Sequence, residues 1–353
     1  MVSNMYSAYG AEKMLLWLGH SLADDTNYDV EFVSLFDTMK TLEVGDNYVS
    51  HEFGIPTSGC AFKRYYNYFL KGYKKFNNLF KDNSYDYVVS FGQDSYYFLL
   101  LLRRKYRFKL VVSERIDPNA CRKIVGFIRK KCYNLADKIV FQTQGAMSFY
   151  SQHCSSDVKI IPNPVDIPNE KWDVNKTRNI IINVGRLDIK QKRQDLLIKA
   201  FKEVLLYYPD YILQLCGDGN DRRKLELLVA KLGISDHVVF LGKVNNVNQY
   251  LLQARLFAFS SDYEGIPNVL MEAMALGMPV ISTKCSPGGA ELLITSGENG
   301  LLVEQGSEKE LTNGMISLIS NVTQSVKLAE NARISMFYYS PAMIIQMWKN
   351  ILC

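Results

Sequence analysis

Short apolar runs alternate with helical stretches along nearly all of this chain, and this alternation constrains its fold more than any other feature. Strands and helices in repeated succession form a parallel sheet covered by helices on its faces. In the first half, the predicted strands are 30–35, 87–90, 109–113, 138–141 and 158–161. In the second half, they are 179–183, 211–215, 238–241, 256–259, 279–282 and 300–303. We therefore expect an α/β protein.

The helical stretches lie between these runs. In the first half they cover 11–23, 63–78, 95–105 and 124–135. In the second half they cover 195–207, 221–232, 247–254, 268–276, 308–320 and 323–335. Only Met1 to Met5 precede the first predicted turn, so the first strand is expected either to be very short or to start upstream.

Three prolines, Pro162, Pro164 and Pro168, interrupt the alternation near the middle of the chain. A proline-rich stretch is a stiff connection, which predicts a domain boundary here. We expect two Rossmann-like domains, 1–165 and 166–340, with parallel sheets facing across a cleft. In such folds, ligands bind outside the carboxyl ends of the strands.

The composition favours a globular enzyme in a reducing compartment. The 353 residues are 48% apolar and 22% charged, which is typical of a folded protein. The seven cysteines are scattered and form no Cys-x-x-Cys pair, which argues against a disulfide framework and a zinc site. No signal peptide is visible, and the longest apolar block is too short to span a bilayer.

Positive charge is concentrated between residues 60 and 131, which hold 17 Lys or Arg and five Asp or Glu. Its segment 62–82 interleaves lysines with Phe and Tyr, a composition that suits an anionic membrane surface. Nucleic acid would be attracted by the same charge, but no nucleic-acid-binding motif accompanies it, so we expect no such partner. The alternative is a solvated face over an aromatic core stripe.

Two carboxylates eight positions apart, Glu264 and Glu272, are the strongest indication of a ligand site. Glu264 lies in a loop after a predicted strand, and Pro267 suits the first position of the helix that follows. The free amides of a helix start bind anions. A carboxylate just before these amides is better placed to accept hydrogen bonds from hydroxyls. Phosphate on the helix start and sugar hydroxyls on the carboxylates together predict a nucleotide-sugar pocket. Alone, such a glutamate pair is more often a solvated surface feature.

Other turns at strand ends add to this pair. Arg186 and Lys192 follow strand 179–183, and cations there can clamp a diphosphate. Gly217 lies in a glycine turn that permits close approach of backbone to ligand. Val244 follows a later strand where a base edge could meet the backbone, and 285–290 form a tight Pro-Gly-Gly loop. Each turn is ordinary in α/β proteins; their order is specific.

This set of motifs resembles the family 4 glycosyltransferases, which are retaining enzymes of GT-B fold. The resemblance implies that Arg186 and Lys192 bind the donor diphosphate and that Glu264 holds hydroxyls of the transferred sugar. It also implies that Glu272 holds the ribose hydroxyls, with Val244 near the base. Backbone from Gly265 through Pro267 and Asn268 to Val269 would touch phosphate and sugar.

The first half resembles the family more loosely. Gly10, in a glycine loop after the first strand, would offer a backbone amide to the ligand. Arg115 stands where many members carry a histidine, so the histidine's role is not carried over. Asp137 and the pair Gln142–Thr143 match a family stretch that we interpret as structural. In this fold the last helix, 341–353, usually crosses back onto the first domain; an ordinary capping helix is the alternative.

The resemblance implies a retaining transfer from a nucleotide-diphosphate sugar, most readily a UDP-sugar, to a lipid-linked saccharide in bacterial polysaccharide or glycan synthesis. No Asp-x-Asp triplet occurs, so we expect neither a metal nor another cofactor, with cations stabilising the leaving group instead. The protein is expected to be cytoplasmic and peripheral on the inner face of the cell membrane. Two alternatives remain: a non-catalytic nucleotide-sugar-binding protein, and an oxidoreductase using a dinucleotide. The latter lacks a Gly-x-Gly-x-x-Gly fingerprint.

Overall fold

The computed structural model describes residues 1–3, 10–36, 44–45, 47–58, 66–91, 95–115, 117–118, 132–151 and 157–353. They divide into two compact units. The amino-terminal domain comprises Met1–Pro162 with Ile344–Cys353, and the carboxy-terminal domain comprises Asn163–Met343. The boundaries expected from the sequence lie within three residues of these divisions.

The amino-terminal domain contains a seven-stranded parallel sheet in the order β3-β2-β1-β4-β5-β6-β7. Its strands are β1 (Val2–Ser3), β2 (Phe32–Phe36), β3 (Ser50–Ile55), β4 (Tyr87–Phe91), β5 (Lys109–Ser113), β6 (Lys138–Phe141) and β7 (Asp157–Ile160). The described helices are Gly10–Ala23, a π-helical turn Asn67–Lys71 continued by Gly72–Asp82, then Ser95–Tyr106, Gln144–Ser151 and Pro341–Lys349.

The carboxy-terminal domain contains a six-stranded parallel sheet in the order β10-β9-β8-β11-β12-β13. Its strands are β8 (Arg178–Val184), β9 (Ile212–Cys216), β10 (Val238–Gly242), β11 (Ala254–Phe259), β12 (Val280–Thr283) and β13 (Leu301–Val303). Its helices are Ile189–Lys192, Gln194–Leu205, Arg222–Lys231, Val247–Leu251, Asn268–Leu276, Gly289–Leu293, Glu308–Ser320 and Val322–Met336. Three short 3₁₀ turns, Val174–Lys176, Ser235–His237 and Phe337–Tyr339, complete it.

Strand β8 shows why a continuous apolar run marks a central strand of such a sheet. Ile181 packs into one core, whereas its neighbours Ile180 and Ile182 pack into the core on the opposite face. Alternate side chains of a strand point to opposite faces, and both faces here are covered by helices. The run is therefore apolar without alternation, and the predicted two-domain α/β fold is confirmed.

Some predicted elements were wrong in extent. Strand β3 and the helices Gln144–Ser151, Ile189–Lys192 and Gly289–Leu293 were not predicted, because they are short or lack an apolar run, whereas the expected first strand, β1, has two residues. The helix predicted at 247–254 ends at Leu251, since Ala254 already begins β11. Of the predicted helix 63–78, the first three residues lie outside the described part, as do 124–131 of the helix predicted at 124–135.

The last helix, Pro341–Lys349, packs in the amino-terminal domain. Ile344 and Trp348 are buried in a cluster with Leu15, Phe91 and Val111. The Lys138 ammonium donates a hydrogen bond to the Ile351 carbonyl at 2.6 Å. A fully buried Trp contributes several kilocalories per mole through its apolar area, so this helix is part of the core of that domain.

Candidate functional site

The winding of the carboxy-terminal sheet fixes where a ligand can approach. The chain moves outward from β8 to β9 and β10, then returns to add β11 on the other side of β8. All strands are parallel, so the loops after them emerge at one edge, and the loops after β8 and β11 diverge there. Such a switch point is the usual ligand site of a doubly wound sheet.

Lys192 and Glu264 meet at this switch point. The Lys192 Nζ atom lies 2.5 Å from the Glu264 Oε1 atom, and the two side chains are only 17% and 12% exposed. The ammonium also lies 5.4 Å from the centre of the Phe259 ring. The sequence predicted both residues for one pocket, and the structure brings them into contact across 72 positions of the chain.

Arg186 reaches the same edge from the turn after β8. Its guanidinium donates to the Asp188 carboxylate and to the Gln191 side-chain oxygen, each at 3.1 Å, and its side chain is 59% exposed. Gln191 in turn donates to the Tyr263 carbonyl at 3.2 Å. Arg186 is therefore oriented by Gln191 while remaining accessible to an anion.

Three glycines let backbone segments approach more closely than any side chain would permit. A Cβ atom at Gly217 would lie 2.0 Å from the Gly185 carbonyl oxygen, and at Gly219 it would lie 2.3 Å from that of Leu187. Gly217 also has a φ of 136°. A Cβ at Gly289, in the Pro-Gly-Gly loop, would lie 2.2 Å from the Gly265 carbonyl oxygen. The loop after β9 therefore packs closely against the loop after β8, and the loop after β12 packs closely against the loop after β11.

The loops after β11 and β12 are also joined by their backbones. The Glu264 amide donates to the Ser286 carbonyl at 2.7 Å, and the Ser286 amide donates to the Asp262 carbonyl at 3.0 Å. Burial raises the pKa of the neighbouring Cys285 thiol to about 12, so it stays protonated at neutral pH. The Glu264 backbone is thus bonded to the loop after β12, while its side chain contacts Lys192.

The helix after Glu264 spans Asn268–Leu276 and ends at Gly277, whose φ of 74° is the left-handed cap predicted there. Pro267 is the N-cap rather than the first helical residue, because its ψ of 94° is extended. Within the described part of the chain, the Asn268 and Val269 amides donate to no backbone carbonyl. Glu272 lies half-buried one turn into this helix.

Val244 and Gly10 lie on elements other than those that carry Lys192 and Glu264. Val244 is half-buried in the turn between β10 and the helix Val247–Leu251, two strands away from β8 in the sheet. Gly10 is the exposed first residue of helix Gly10–Ala23 in the amino-terminal domain, and residues 4–9 before it lie outside the described part.

The sequence did not indicate three residues that organise this edge: Gln191, Arg193 and Asp262. Arg193 contacts Asp195 at 3.2 Å and Asp262 at 3.0 Å. Burial alone would lower the pKa of Arg193, but its hydrogen bonds to these two carboxylates raise it. Asp262 and Arg193 are both charged residues in loops, and such residues are usually solvated, so no local pattern could distinguish them.

Arg115 follows β5 in the amino-terminal domain, where its guanidinium lies over aromatic rings. Its centre is 4.5 Å from the Phe91 ring centre and 5.9 Å from that of Trp348, and its Nε donates to the Ser113 hydroxyl at 2.8 Å. Removal from water lowers the pKa of Arg115 to about 9. Asp137, predicted to be structural, accepts hydrogen bonds from Arg103 and from the Leu110 amide.

The described part of the basic aromatic segment, 66–82, has two apolar faces. Gly72, Phe76 and Phe80 face the core of the amino-terminal domain. On the outside lies a stripe with helical spacing whose members are between 40% and 56% exposed: Tyr66, Phe69, Leu70 and Tyr73. An aromatic core stripe therefore accounts for only one face of this segment; residues 62–65 lie outside the described part.

In the parts of the chain that the structure describes, no helix has both the length and the apolar character needed to cross a bilayer. In the same parts, no three His, Cys, Asp or Glu side chains are grouped so that they could hold a metal ion.

Known proteins share both the sequence and the fold. Residues 166–335 match the family model of the group 1 glycosyl transferases. An uncharacterized glycosyltransferase of Haemophilus influenzae is 27% identical over 354 residues, which cover 99% of this chain and 98% of that protein. The structure of Anabaena Alr3699/HepE in complex with UDP has a TM-score of 0.82 at 21% identity, covering 99% of this chain and 98% of that one.

A third protein resembles most of the chain. It is the N-acetylgalactosamine-N,N'-diacetylbacillosaminyl-diphospho-undecaprenol 4-alpha-N-acetylgalactosaminyltransferase of Campylobacter jejuni, 30% identical over 240 residues that cover 64% of each chain. Residues 166–335 are thus similar to the group 1 glycosyl transferases, and the chain is a glycosyltransferase of GT-B fold. This confirms the predicted enzyme class and excludes the oxidoreductase alternative; the narrower assignment to family 4 stays a prediction.

Proposed function

We propose that this enzyme transfers a sugar, with retention of configuration and without a metal ion, from a UDP-sugar to a lipid-linked saccharide in bacterial polysaccharide or glycan synthesis. The contact between Lys192 and Glu264 carries the proposal. A cation for phosphate and a carboxylate for sugar hydroxyls are both mostly buried at the switch point of the sheet. UDP is chosen because the similar HepE structure contains it.

The diphosphate would be held by three kinds of positive group. Arg186 is accessible and oriented by Gln191, Lys192 is the mostly buried cation, and the Asn268 and Val269 amides open the helix. These groups stabilise the charge that develops on the leaving UDP, which is the task a metal ion performs elsewhere. Backbone at Gly217, Gly265 and Pro267 would line the same pocket.

The remaining contacts would select the sugar and the nucleoside. Glu264 would accept hydrogen bonds from hydroxyls of the transferred sugar once the phosphate draws Lys192 toward itself. Glu272, one turn into the helix, would accept hydrogen bonds from the ribose hydroxyls, and Val244 would lie near the base. Gly10 would contribute a backbone amide from the amino-terminal domain.

The proposed transfer takes place on one face of the sugar. The acceptor hydroxyl oxygen attacks the anomeric carbon from the side of the leaving group while the bond from that carbon to the phosphate oxygen breaks. UDP departs with the bonding electrons, and the hydroxyl proton passes to a donor phosphate oxygen. Retention follows because attack and departure share a face.

Turnover and product stereochemistry test this proposal. Wild-type protein is incubated with UDP-glucose, UDP-galactose, UDP-N-acetylglucosamine and UDP-N-acetylgalactosamine, and released UDP is measured with EDTA and with Mg²⁺. We expect release from at least one donor, at equal rates in both buffers, and NMR should show the α-anomer in a transfer product. Strict dependence on Mg²⁺ would contradict metal independence, and a β-linked product would contradict retention.

The lipid-linked acceptor is proposed from two observations. The Campylobacter relative is named for a diphospho-undecaprenol acceptor, and the exposed stripe of Tyr66, Phe69, Leu70 and Tyr73 lies beside exposed Lys71 and Lys74. Apolar rings flanked by lysines bind the interface of an anionic bilayer. The enzyme would therefore work in the cytoplasm, peripheral on the inner face of the cell membrane, with the amino-terminal domain meeting the acceptor.

Flotation with liposomes tests the membrane contact. The protein is mixed with vesicles of phosphatidylcholine alone or with 30% phosphatidylglycerol, an amount chosen to resemble a strongly anionic leaflet, of about −50 mV. Flotation with the anionic vesicles and its loss in about 0.5 M salt are expected, because salt screens surface charge. Failure to float with either lipid would exclude the membrane contact without affecting the donor site.

A further inference from the structure

Arg193 lies at the junction of two helices in a conformation that arginine rarely adopts. It ends the helix Ile189–Lys192 and caps the helix Gln194–Leu205, with φ 49° and ψ 39°. In this left-handed region a side chain is disfavoured relative to glycine. Glycine would fit the turn without this cost, so the guanidinium has to compensate for it through its contacts.

The guanidinium joins the loop after β8 to the loop after β11. Its Nε lies 3.2 Å from the Asp195 Oδ1 atom, and its Nη1 lies 3.0 Å from the Asp262 Oδ2 atom. The Arg193 side chain is 28% exposed, and those of Asp195 and Asp262 are 18% and 21% exposed. Partly buried Arg–carboxylate pairs of this kind have a fixed geometry, unlike freely solvated ion pairs.

Neighbouring residues strengthen the same connection. The Asp262 amide donates to the Gln191 carbonyl at 2.8 Å, and the Ser260 hydroxyl donates to the Lys192 carbonyl at 2.8 Å. Asp262 stands two positions before Glu264, and its backbone carbonyl accepts a hydrogen bond from the Ser286 amide. The path from Arg193 to the Glu264 carboxylate thus runs through one side chain and two peptide units.

We propose that Arg193 is a positioning residue for sugar transfer: by holding Asp262 it sets the loop that presents Glu264 to the transferred sugar. The ion pairs of the Arg193 side chain are with Asp195 and Asp262, so it acts on Glu264 through Asp262. This inference rests on the proposed function of the site. It assigns to Arg193 an effect on the sugar half of the donor, because Asp262 and Glu264 lie in the loop after β11. The diphosphate would be held by Arg186 and Lys192, which follow β8.

The informative variant is Arg193→Gly, because glycine keeps the left-handed turn and removes only the side chain. We expect its kcat for UDP release to fall about 10–100-fold, the usual effect of a displacement near 1 Å at a reacting group. The affinity for UDP, measured by calorimetry, should stay within about twofold, whereas the affinity for the donor that wild type turns over fastest should fall.

Matched variants separate positioning from general stability. Asp262→Asn should lower kcat, as Arg193→Gly does. Asp195→Asn breaks the other ion pair of Arg193, and its kcat should stay within about twofold of the wild-type value. A lysine at this position reaches one carboxylate but not both, so Arg193→Lys should have a kcat between those of wild type and Arg193→Gly. A melting temperature for Arg193→Gly within about 4 °C of wild type shows that the fold is intact.

Several results would overturn the inference. Wild-type kcat and donor affinity in Arg193→Gly would show that the contact has no role in transfer. Equal losses for UDP and UDP-sugar, or equal losses in Asp195→Asn and Asp262→Asn, would show a structural role only. If wild type neither binds nor turns over any of the four UDP-sugars, the proposed donor class fails and the inference with it, whereas an active wild type with an unaffected Arg193→Gly contradicts the inference alone.

Discussion

In the carboxy-terminal domain, the loops after β8 and β11 are tied by ion pairs between Lys192 and Glu264 and between Arg193 and Asp262. In the amino-terminal domain, the cation described at the corresponding edge, Arg115 after β5, lies instead over the Phe91 and Trp348 rings. Both sheets are parallel, and both are wound outward from an inner strand before the chain returns to its other side.

Carboxylates therefore contact Lys192 and Arg193, whereas aromatic rings lie against Arg115, in two sheets of similar winding. Carboxylates fix the position of a cation that binds a small anionic ligand, and the cation keeps this position when water is excluded from the site. Aromatic rings stabilise a cation without neutralising it. The outer surface of the amino-terminal domain adds an exposed aromatic stripe, which suits a large amphipathic partner better than a nucleotide.

The largest expected effect concerns the aromatic support in the amino-terminal domain. Trp348→Ala should lower the free energy of unfolding by about 3–5 kcal/mol, because the ring is fully buried and its removal leaves a cavity. Calorimetry with and without UDP measures it. If the comparison holds, UDP affinity per folded molecule stays unchanged.

Gln346→Ala is the control for Trp348, since its side chain is exposed on the same helix and pairs with Asn350 only at the surface. We expect a change within about 0.5 kcal/mol. Loss of UDP affinity in folded Trp348→Ala protein would show that the nucleotide depends on the amino-terminal domain and would break the comparison.

The next effect concerns the charged pair of the carboxy-terminal domain. Lys192→Met should lower kcat for UDP release by about 10²–10³, because a charged donor to the leaving group is lost. Lys190→Met, an exposed lysine two positions earlier, should leave kcat within about twofold. The double variant Lys192→Met with Glu264→Gln should be inactive yet melt above the Lys192→Met single variant, which leaves Glu264 buried without its cation. Near-normal turnover in Lys192→Met would remove this lysine from the site.

A third prediction concerns the close approach of the loop after β9 to the loop after β8. Gly217→Ala should lower the free energy of unfolding by about 2–4 kcal/mol and weaken UDP binding, because its Cβ would meet the Gly185 carbonyl. Gly233 also has a positive φ, of 71°, but open space around the new Cβ, so Gly233→Ala should cost about 1 kcal/mol. Chemical denaturation measures both; equal losses would mean that backbone conformation alone, and not the close approach, requires glycine at 217.

The smallest effect lies on the outer surface of the amino-terminal domain. Lys74→Gln should weaken binding to anionic vesicles about fivefold, since each basic residue near the surface contributes about 1 kcal/mol. Lys199→Gln, an exposed lysine on a helix of the carboxy-terminal domain, is the control and should leave flotation unchanged. Equal losses in both variants would indicate nonspecific attraction by net charge.

Much of the site could be predicted from the sequence because its signals are local. The helix after Glu264 was predicted with the bounds observed, Asn268–Leu276, since Pro267 precedes it and Gly277 closes it in the left-handed conformation. The turns carrying Arg186, Gly217 and Glu264 directly follow apolar runs, so their places at strand ends also followed from pattern. Strand β3 could not be predicted in this way, because its less exposed positions are His51, Phe53 and Ile55, and only the last two are apolar.

The sequence by itself determined the alternation of strands and helices and the set of residues at strand ends. Only the tertiary structure decided which of those ends are neighbours. Lys192 meets Glu264 because β8 pairs with β11, a strand that follows it in the chain only after β9 and β10. Hydrophobic periodicity reports burial but not strand order, which depends on long-range packing; the contacts of Arg193 with Asp262 were therefore invisible until the sheet was assembled.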